Sequence, residues 1–433
     1  KDLTLPTMVT TIVQHPLVEM RTEKLNGETN VELYENNKNG AVVISKESAG
    51  SELLAIHYLI KNKAMMEHKY GKDAAKTWHD AFGKRMDSPD VQKFSSKFGF
   101  TFTVNDNPYI PMDNIYLSPE FGYIRVEGLA DSVEAAIKFL NDQFLNFIPT
   151  ESEFQESKAS SMMPSMMGHG NKTKMIFDSK LNSLLYENDE YGMEKPELTY
   201  ETLLEFGKEY FIPSNMIISV VSPTDNELIE KYFAGFEKEG SSNDGSGRIE
   251  EFKAINKPEK IDMEGGGEQS YLYFGFQKKI EESEKASLTV LSLILSDNIS
   301  FDIREKQGLA YRMSAGIDLK KDRSMFYINM GTRPENVDKL IPQFPTFFTK
   351  DFSKIITDEL VKKAVNIYLG RMMFRRLSSI NQAYYLGYSK YFYDDINHDQ
   401  KSLDALKMVD ASAVLEMIDK YMVVENPIEV YVR

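Results

Sequence analysis

The stretch FDIREKQGLAYRM, residues 301–313, joins a helix to a strand through one glycine. The residues before Gly308 are good helix formers. Gly308 is placed to adopt the left-handed conformation that ends a helix, and Leu309 to Ser314 alternates like a strand. Such a corner predicts that Arg304 and Tyr311 are held rigidly toward one side of the chain.

Arg304 and Tyr311 are candidate peptide-binding residues. A guanidinium group binds carbonyl or carboxylate oxygens, and a phenolic hydroxyl donates to a substrate carbonyl or a developing oxyanion. A structural interpretation stands beside this one, because arginines near helix ends often bind the last carbonyls and tyrosines in strands often pack. The corner alone leaves both interpretations open.

The chain divides near its middle. A Ser-, Gly-, Asn- and Asp-rich interruption with few apolar residues runs through 237–267. We therefore predict an N-terminal lead-in segment at 1–30, a first α+β unit at 31–240, a linker at 241–265 and a second α+β unit at 266–433.

Both units show short strands interleaved with amphipathic helices. In the first, Asn39-Gly40 indicates a hairpin; strands are predicted at 53–60, 98–104, 114–118, 121–129 and 216–222, with helices at 132–147 and 199–210. In the second, strands are predicted at 271–276, 309–319 and 325–332, with helices at 284–305, 335–349 and 357–377. This recurring order predicts an α+β fold of two homologous units, each an antiparallel or mixed β-sheet with helices packed on one face.

Composition excludes several functions. The formal net charge of −15 opposes binding to nucleic acid, and no apolar run is long enough to span a membrane. With no cysteine, the chain has no disulfide, thiolate metal site or cysteine nucleophile. The first residue is Lys1 and no leader follows, so we expect a processed or excised chain of a periplasmic, extracytoplasmic or organellar protein.

The ordered motifs of the chain resemble the pitrilysin, insulinase and mitochondrial-processing-peptidase family of inverted-zincin metallopeptidases. The resemblance covers about 35 to about 390 and is carried by six stretches. They are KNGAVVI at 38–44, the helix at 132–147, TYETLLEFGKEYFIPSNMIISVVS at 199–222, FDIREKQGLAYRM at 301–313, GTRPE at 331–335 and TDELVKKAV at 357–365.

The family's catalytic His-x-x-Glu-His helix is degenerate in this chain. One alignment puts Ala75, Trp78 and His79 in the three motif positions, and a second puts Ala64, Glu67 and His68 there. The downstream glutamate ligand would fall at about Met163 or Pro164, where no carboxylate stands. Since zinc needs three or four protein ligands, we expect no metal on this chain, with His79, Glu67 and His68 as weak remnants.

The family's second-unit Arg and Tyr, seven positions apart, match Arg304 and Tyr311. The resemblance therefore implies a non-zinc half that binds and positions a peptide for a zinc-bearing half, on the same precursor or a partner subunit. It implies zinc in the complete assembly and an inactive isolated chain. Two alternatives stay open: a structural or assembly subunit of the same fold, and an active zinc peptidase with a divergent metal site around Glu67 and His68.

Overall fold

The computed structural model describes residues 31–35, 40–105, 120–162, 172–186, 195–240, 247, 251–310 and 312–433. Several sequence-based expectations lie outside these residues: the lead-in segment at 1–30, Asn39 of the hairpin signal, the strand at 114–118, the ligand position at Met163 or Pro164, and Tyr311.

The strands are β1 Val31–Glu35, β2 Val42–Glu47, β3 Leu53–Ile60, β4 Phe100–Asn105, β5 Gly122–Leu129, β6 Met216–Ser222, β7 Glu259–Met263, β8 Ser270–Lys279, β9 Arg312–Leu319, β10 Arg323–Thr332 and β11 Ile428–Val432. The α-helices are α1 Lys63–Tyr70, α2 Ala74–Met86, α3 Pro89–Phe98, α4 Val133–Asn146, α5 Glu151–Met162, α6 Lys172–Leu185, α7 Tyr200–Tyr210, α8 Asn226–Tyr232, α9 Lys285–Ser300, α10 Val337–Leu340, α11 Asp358–Arg375, α12 Ser379–Tyr393, α13 His398–Lys407 and α14 Ala411–Tyr421.

The chain forms two compact units, each built from three segments. Unit 1 comprises Lys1–Pro164, Glu194–Gly247 and Arg375–His398. Unit 2 comprises Ser165–Met193, Arg248–Phe374 and Asp399–Arg433. The sequence-based range 31–240 contains the whole first sheet, but the predicted linker at 241–265 is wrong in part, because β7 Glu259–Met263 of the second sheet lies within it. The compact units also exchange α6 and α12 between the sequence halves.

The two sheets share one strand order, except that the sheet of unit 1 has an additional edge strand, β1. Unit 1 has the order β1-β2-β6-β3-β5-β4, and unit 2 has β7-β11-β8-β10-β9. In both, the last strand of the unit pairs in parallel with an early strand, β6 with β2 and β11 with β7, and the other pairings are antiparallel. The predicted α+β fold with two mixed sheets is confirmed.

Each sheet is covered on both faces. In unit 1, alternate residues of β3 such as Ile56 and Tyr58 face one core, while Leu59 packs with Tyr384 of α12 on the other side. In unit 2, Phe177 of α6 packs with β8 and β11 on the second face. This explains why β3 and β6 read as nearly continuous apolar runs, since strands buried on both faces lose the alternation.

Several elements differ from the sequence-based expectation. The helix predicted at 335–349 is broken into α10 and flanking 3-10 turns, because Pro342 and Pro345 remove helical donors. Phe98 ends α3 instead of starting a strand, and Gly99 takes a left-handed conformation between α3 and β4. Strand β7 is short and charged, and no apolar alternation in the sequence predicts it.

One helical segment among the described residues, Glu282–Lys306, passes a length and composition test for a membrane span. Core helices of globular proteins can have the same length and composition. Here Leu288, Leu291 and Leu295 of this segment are fully buried in the core of unit 2.

Candidate functional site

The corner at 301–313, which carries Arg304, begins with an unusual helix end. After α9 the chain continues as a π-helix over Phe301–Lys306, and π-turns of this kind occur frequently at functional sites. Gly308 has φ +65°, and its N–H donates to the Arg304 carbonyl at 3.1 Å. The left-handed glycine predicted from the sequence is thus present.

The Arg304 side chain is solvent-exposed. Its Nε lies 3.2 Å from Glu305 Oε1, and more than half of each side chain is exposed. An exposed ion pair between chain neighbours is weak, so the guanidinium can exchange this partner for a ligand carboxylate or carbonyl at little cost. Tyr311 is outside the described residues, so the predicted Arg304–Tyr311 pair stays a prediction.

Helix α1 carries the second degenerate motif, and its start is fixed by a buried amide. Asn215 Nδ2 donates to the Lys61 carbonyl at 3.0 Å and to the Tyr210 carbonyl at 2.8 Å, and Asn215 Oδ1 accepts from Asn62 at 2.9 Å. The asparagine of the family-like FIPSNM turn therefore anchors the β3–α1 junction. This role is structural, because these bonds place α1 between β3 and α7.

A lysine neutralises Glu67. Lys195 Nζ lies 3.0 Å from Glu67 Oε2, with both side chains largely buried, and the Ala75 N–H donates to Glu67 Oε1 at 3.3 Å. The second contact caps the start of α2, where the helix dipole favours a carboxylate. Both oxygens of Glu67 thus have structural partners within unit 1.

The residues around Glu67 do not fit a zinc ion. Ala64 replaces the first imidazole, and the Lys195 ammonium contacts the carboxylate that would act beside the metal. A fixed ammonium repels a divalent cation from the same carboxylate. Among the described residues, no cluster of three or more His, Cys, Asp or Glu side chains could hold a metal ion.

His79, the remnant in the other alignment, is a buried packing residue. Its Nε2 lies 3.1 Å from the Tyr210 hydroxyl, and its ring packs against Tyr210 and Phe211. Gly122 leaves room for this contact, because a Cβ there would lie 2.9 Å from His79 Nε2 and 2.2 Å from the Tyr210 hydroxyl. His79 is 1% exposed and fills the core of unit 1.

The family's third-ligand position falls at about Met163 or Pro164, just after α5, where the sequence has no carboxylate; both positions lie outside the described residues. The first turn of α5 carries Glu153, which pairs with Arg85 at 2.8 Å and accepts the Thr150 N–H at 2.6 Å. Burial alone would raise the pKa of Glu153, but the bonds from Thr150 and Arg85 outweigh it and lower the pKa. The Glu153 carboxylate thus stabilises the start of α5 and connects it to α2.

Residues 197–368 match the family described as the peptidase M16 inactive domain. Over this range, which is less than half of the chain, the protein is similar to a peptidase M16 inactive domain. The resemblance to zinc metallopeptidases predicted from the motifs is thereby confirmed. The matched range contains Arg304, the FIPSNM turn with Asn215, and strand β6 that follows the turn.

Individual proteins similar to this chain are also peptidases of this kind by name. The uncharacterized zinc protease YmxG of Bacillus subtilis is 25% identical over 248 residues, which is 52% of this chain and 58%, less than two thirds, of YmxG. A peptidase M16 inactive domain of Pseudomonas fluorescens has a TM-score of 0.72 at 16% identity and covers 93% of this chain and 98% of that one. The periplasmic protease PqqL of Escherichia coli gives 0.71 at 13% identity, covering 93% of this chain but 46% of PqqL.

Sequence reasoning missed two features of unit 1. The Lys195–Glu67 pair joins residues 128 positions apart, and no local pattern connects them. His57 shows no ligand spacing in the sequence, yet it is fully buried between β5 and α12. An apolar run interrupted by one histidine, LLAIHYLI, was the available signal for a buried imidazole.

Proposed function

We propose that this chain is the non-zinc half of an M16 metalloendopeptidase, which binds and positions a peptide while a zinc-bearing half breaks the bond. One observation carries the proposal: Arg304 is exposed on a π-helix, in a chain whose remnant motif residue Glu67 is ion-paired with Lys195. Zinc belongs to the complete assembly, on the same precursor or on a partner subunit.

Peptide binding by this half uses two kinds of contact. The Arg304 guanidinium binds peptide carbonyl or carboxylate oxygens through its planar fork, and Tyr311 donates a hydroxyl to a carbonyl. The net charge of −15 favours basic or neutral peptides over acidic ones. The chain covers 46% of PqqL and 98% of the Pseudomonas domain. These shares are compatible both with a zinc-bearing half on the same polypeptide and with a separate partner subunit.

Reconstitution tests the proposal. The purified chain should hold no stoichiometric zinc and cleave no peptide. A half that carries His-x-x-Glu-His, taken from the same precursor or genome, should gain peptidase activity when the chain is added. Arg304→Ala and Tyr311→Phe should each lower kcat/KM at least tenfold, because each removes a contact to the reacting peptide.

Lys306→Ala is the matched control, since Lys306 is an exposed cation on the same π-helix and pairs with Asp302. It should leave kcat/KM within about twofold. If the Arg304 and Tyr311 variants also reconstitute full activity, the chain is a scaffold subunit. If the chain alone shows zinc and chelator-sensitive cleavage, the divergent metal site around Glu67 and His68 is real.

A further inference from the structure

Unit 1 contains a cavity of about 410 Å³ that is lined by neither the degenerate zinc-motif residues nor Arg304. It lies between the β1–β2 hairpin and the segment that follows α8. Its wall includes Tyr34, Val43, Phe233 and Phe236 together with two carboxylates, Glu230 and Glu237. This volume falls in the range of about 300–1,000 Å³ that is typical of ligand pockets.

The frame of the cavity is held in place on both sides. Phe233 and Phe236 are buried, and their rings lie 6.2 Å apart. Glu237 forms an isolated backbone bridge with Gly40, which ties the segment after α8 to the hairpin. The cavity therefore has a fixed apolar floor.

The lining combines aromatic faces with negative charge. Among the wall residues that the structure describes, Glu230 and Glu237 outnumber the single cation, Lys231. The pKa of Tyr34 is raised by burial, by its hydrogen bond to Glu32 and by the carboxylates of Glu230 and Glu227. Those carboxylates thus produce a negative potential at the tyrosine ring.

We propose that this cavity binds the basic side chain of a peptide. An arginine or lysine side chain has apolar methylenes that suit Phe233 and Phe236, and a cationic head that suits the carboxylates and the face of Tyr34. The inference goes beyond the proposed function and does not rest on it, because the cavity belongs to unit 1 and Arg304 to unit 2.

The test uses the full chain and fluorescein-labelled pentapeptides with one central residue, Ala-Ala-Arg-Ala-Ala against Ala-Ala-Gln-Ala-Ala, measured by fluorescence anisotropy. The arginine peptide should bind at least tenfold more tightly than the glutamine peptide. Glu230→Gln with Glu237→Gln should remove that preference. Ala234→Trp, a change at an exposed wall residue, should block binding by filling the cavity.

The matched control is Glu205→Gln with Glu239→Gln, which removes the same number of charges from exposed residues of unit 1 that do not line the cavity. It should lower affinity less than threefold. The proposal is overturned if the control variant weakens binding as much as the wall variant. Equal affinity for both peptides, or unchanged binding by Ala234→Trp, would overturn it as well.

Discussion

At the scale of single residues, His57 is a neutral imidazole enclosed by unit 1. Its ring stacks on Tyr123 of β5 at 5.6 Å and meets Tyr384 of α12 edge-on. Burial, and then the charge of Arg125, lower its pKa to about 3. Among the described residues, Tyr123, Arg125 and Tyr384 face it, and none of these three supplies a negative charge near neutral pH.

His57 should make unit 1 sensitive to acid. Its folded pKa is depressed, so the full stability is present above the unfolded pKa of about 6.5 and is lost as the pH falls toward the folded value of about 3. At pH 5 this effect amounts to about 2 kcal/mol. Urea unfolding at pH 7.5 and pH 5 should show this loss in the wild type and not in His57→Phe.

Tyr384→Phe serves as the control, because it alters the same contact without removing a group that titrates between pH 5 and 7.5. It should keep the wild-type pH dependence. If the His57→Phe chain lost as much stability between pH 7.5 and pH 5 as the wild type, titration of other groups would be the cause.

The Lys195–Glu67 pair gives a second prediction at this scale. Lys195→Ala leaves a largely buried carboxylate without its cation, so the free energy of unfolding should fall by about 2 kcal/mol. Lys195→Ala with Glu67→Gln should recover much of the loss, since the uncompensated charge is gone. The measurement is urea unfolding at pH 7.5. Equal stability of the wild type and Lys195→Ala would show that the ammonium is dispensable.

At the scale of elements, Gly308 ends the π-helix at a position with φ +65°. A Cβ there meets no atom within 4 Å, so the cost of Gly308→Ala is backbone strain alone. The substitution should lower the free energy of unfolding by about 1 kcal/mol, and Gly308→Asn by less. Thermal or urea unfolding measures both.

Gly370 in α11 is the matched control, because the same substitution there should change the free energy of unfolding in the opposite direction. A methyl group added there also meets open space, but Gly370 lies within a regular helix. Gly370→Ala should therefore raise stability by about 0.5–1 kcal/mol through helix propensity. Two alanine substitutions with the same sign would contradict the conformational argument.

Local patterns predict most elements but not their partners. The predicted bounds of β3 and β6 are the observed ones, since runs of buried apolar residues flanked by turn signals are unambiguous. The prediction of one helix at 335–349 is wrong, because Pro342 and Pro345 interrupt the α-helix that the apolar periodicity predicts. The candidate site is predictable only as far as Arg304, because the Lys195–Glu67 contact and the cavity beside Tyr34 depend on tertiary packing between distant segments.

At the scale of the whole molecule, α12 belongs to unit 1 although it lies in the last quarter of the sequence. Residues 31–240 alone should therefore leave Leu59, Ile217 and their neighbours exposed on one sheet face. We expect this fragment to be soluble only in part and to show weak amide protection in β3 and β6. Co-expression with residues 375–398 should restore protection in hydrogen exchange.

The control is co-expression with residues 399–422, a segment of equal length taken from unit 2 helices. It should not restore protection. Full protection of the fragment without any added segment would show that the second face of the sheet tolerates water.

The late position of α12 also bears on how the chain folds during synthesis. The six strands that the structure describes in unit 1 are complete once residue 222 has been made, but the helix that covers their second face ends only at Tyr393. A nascent chain therefore carries an open apolar sheet surface through much of translation, when such surfaces are prone to aggregate. We expect the ribosome-bound chain to depend on chaperones until its last helices emerge.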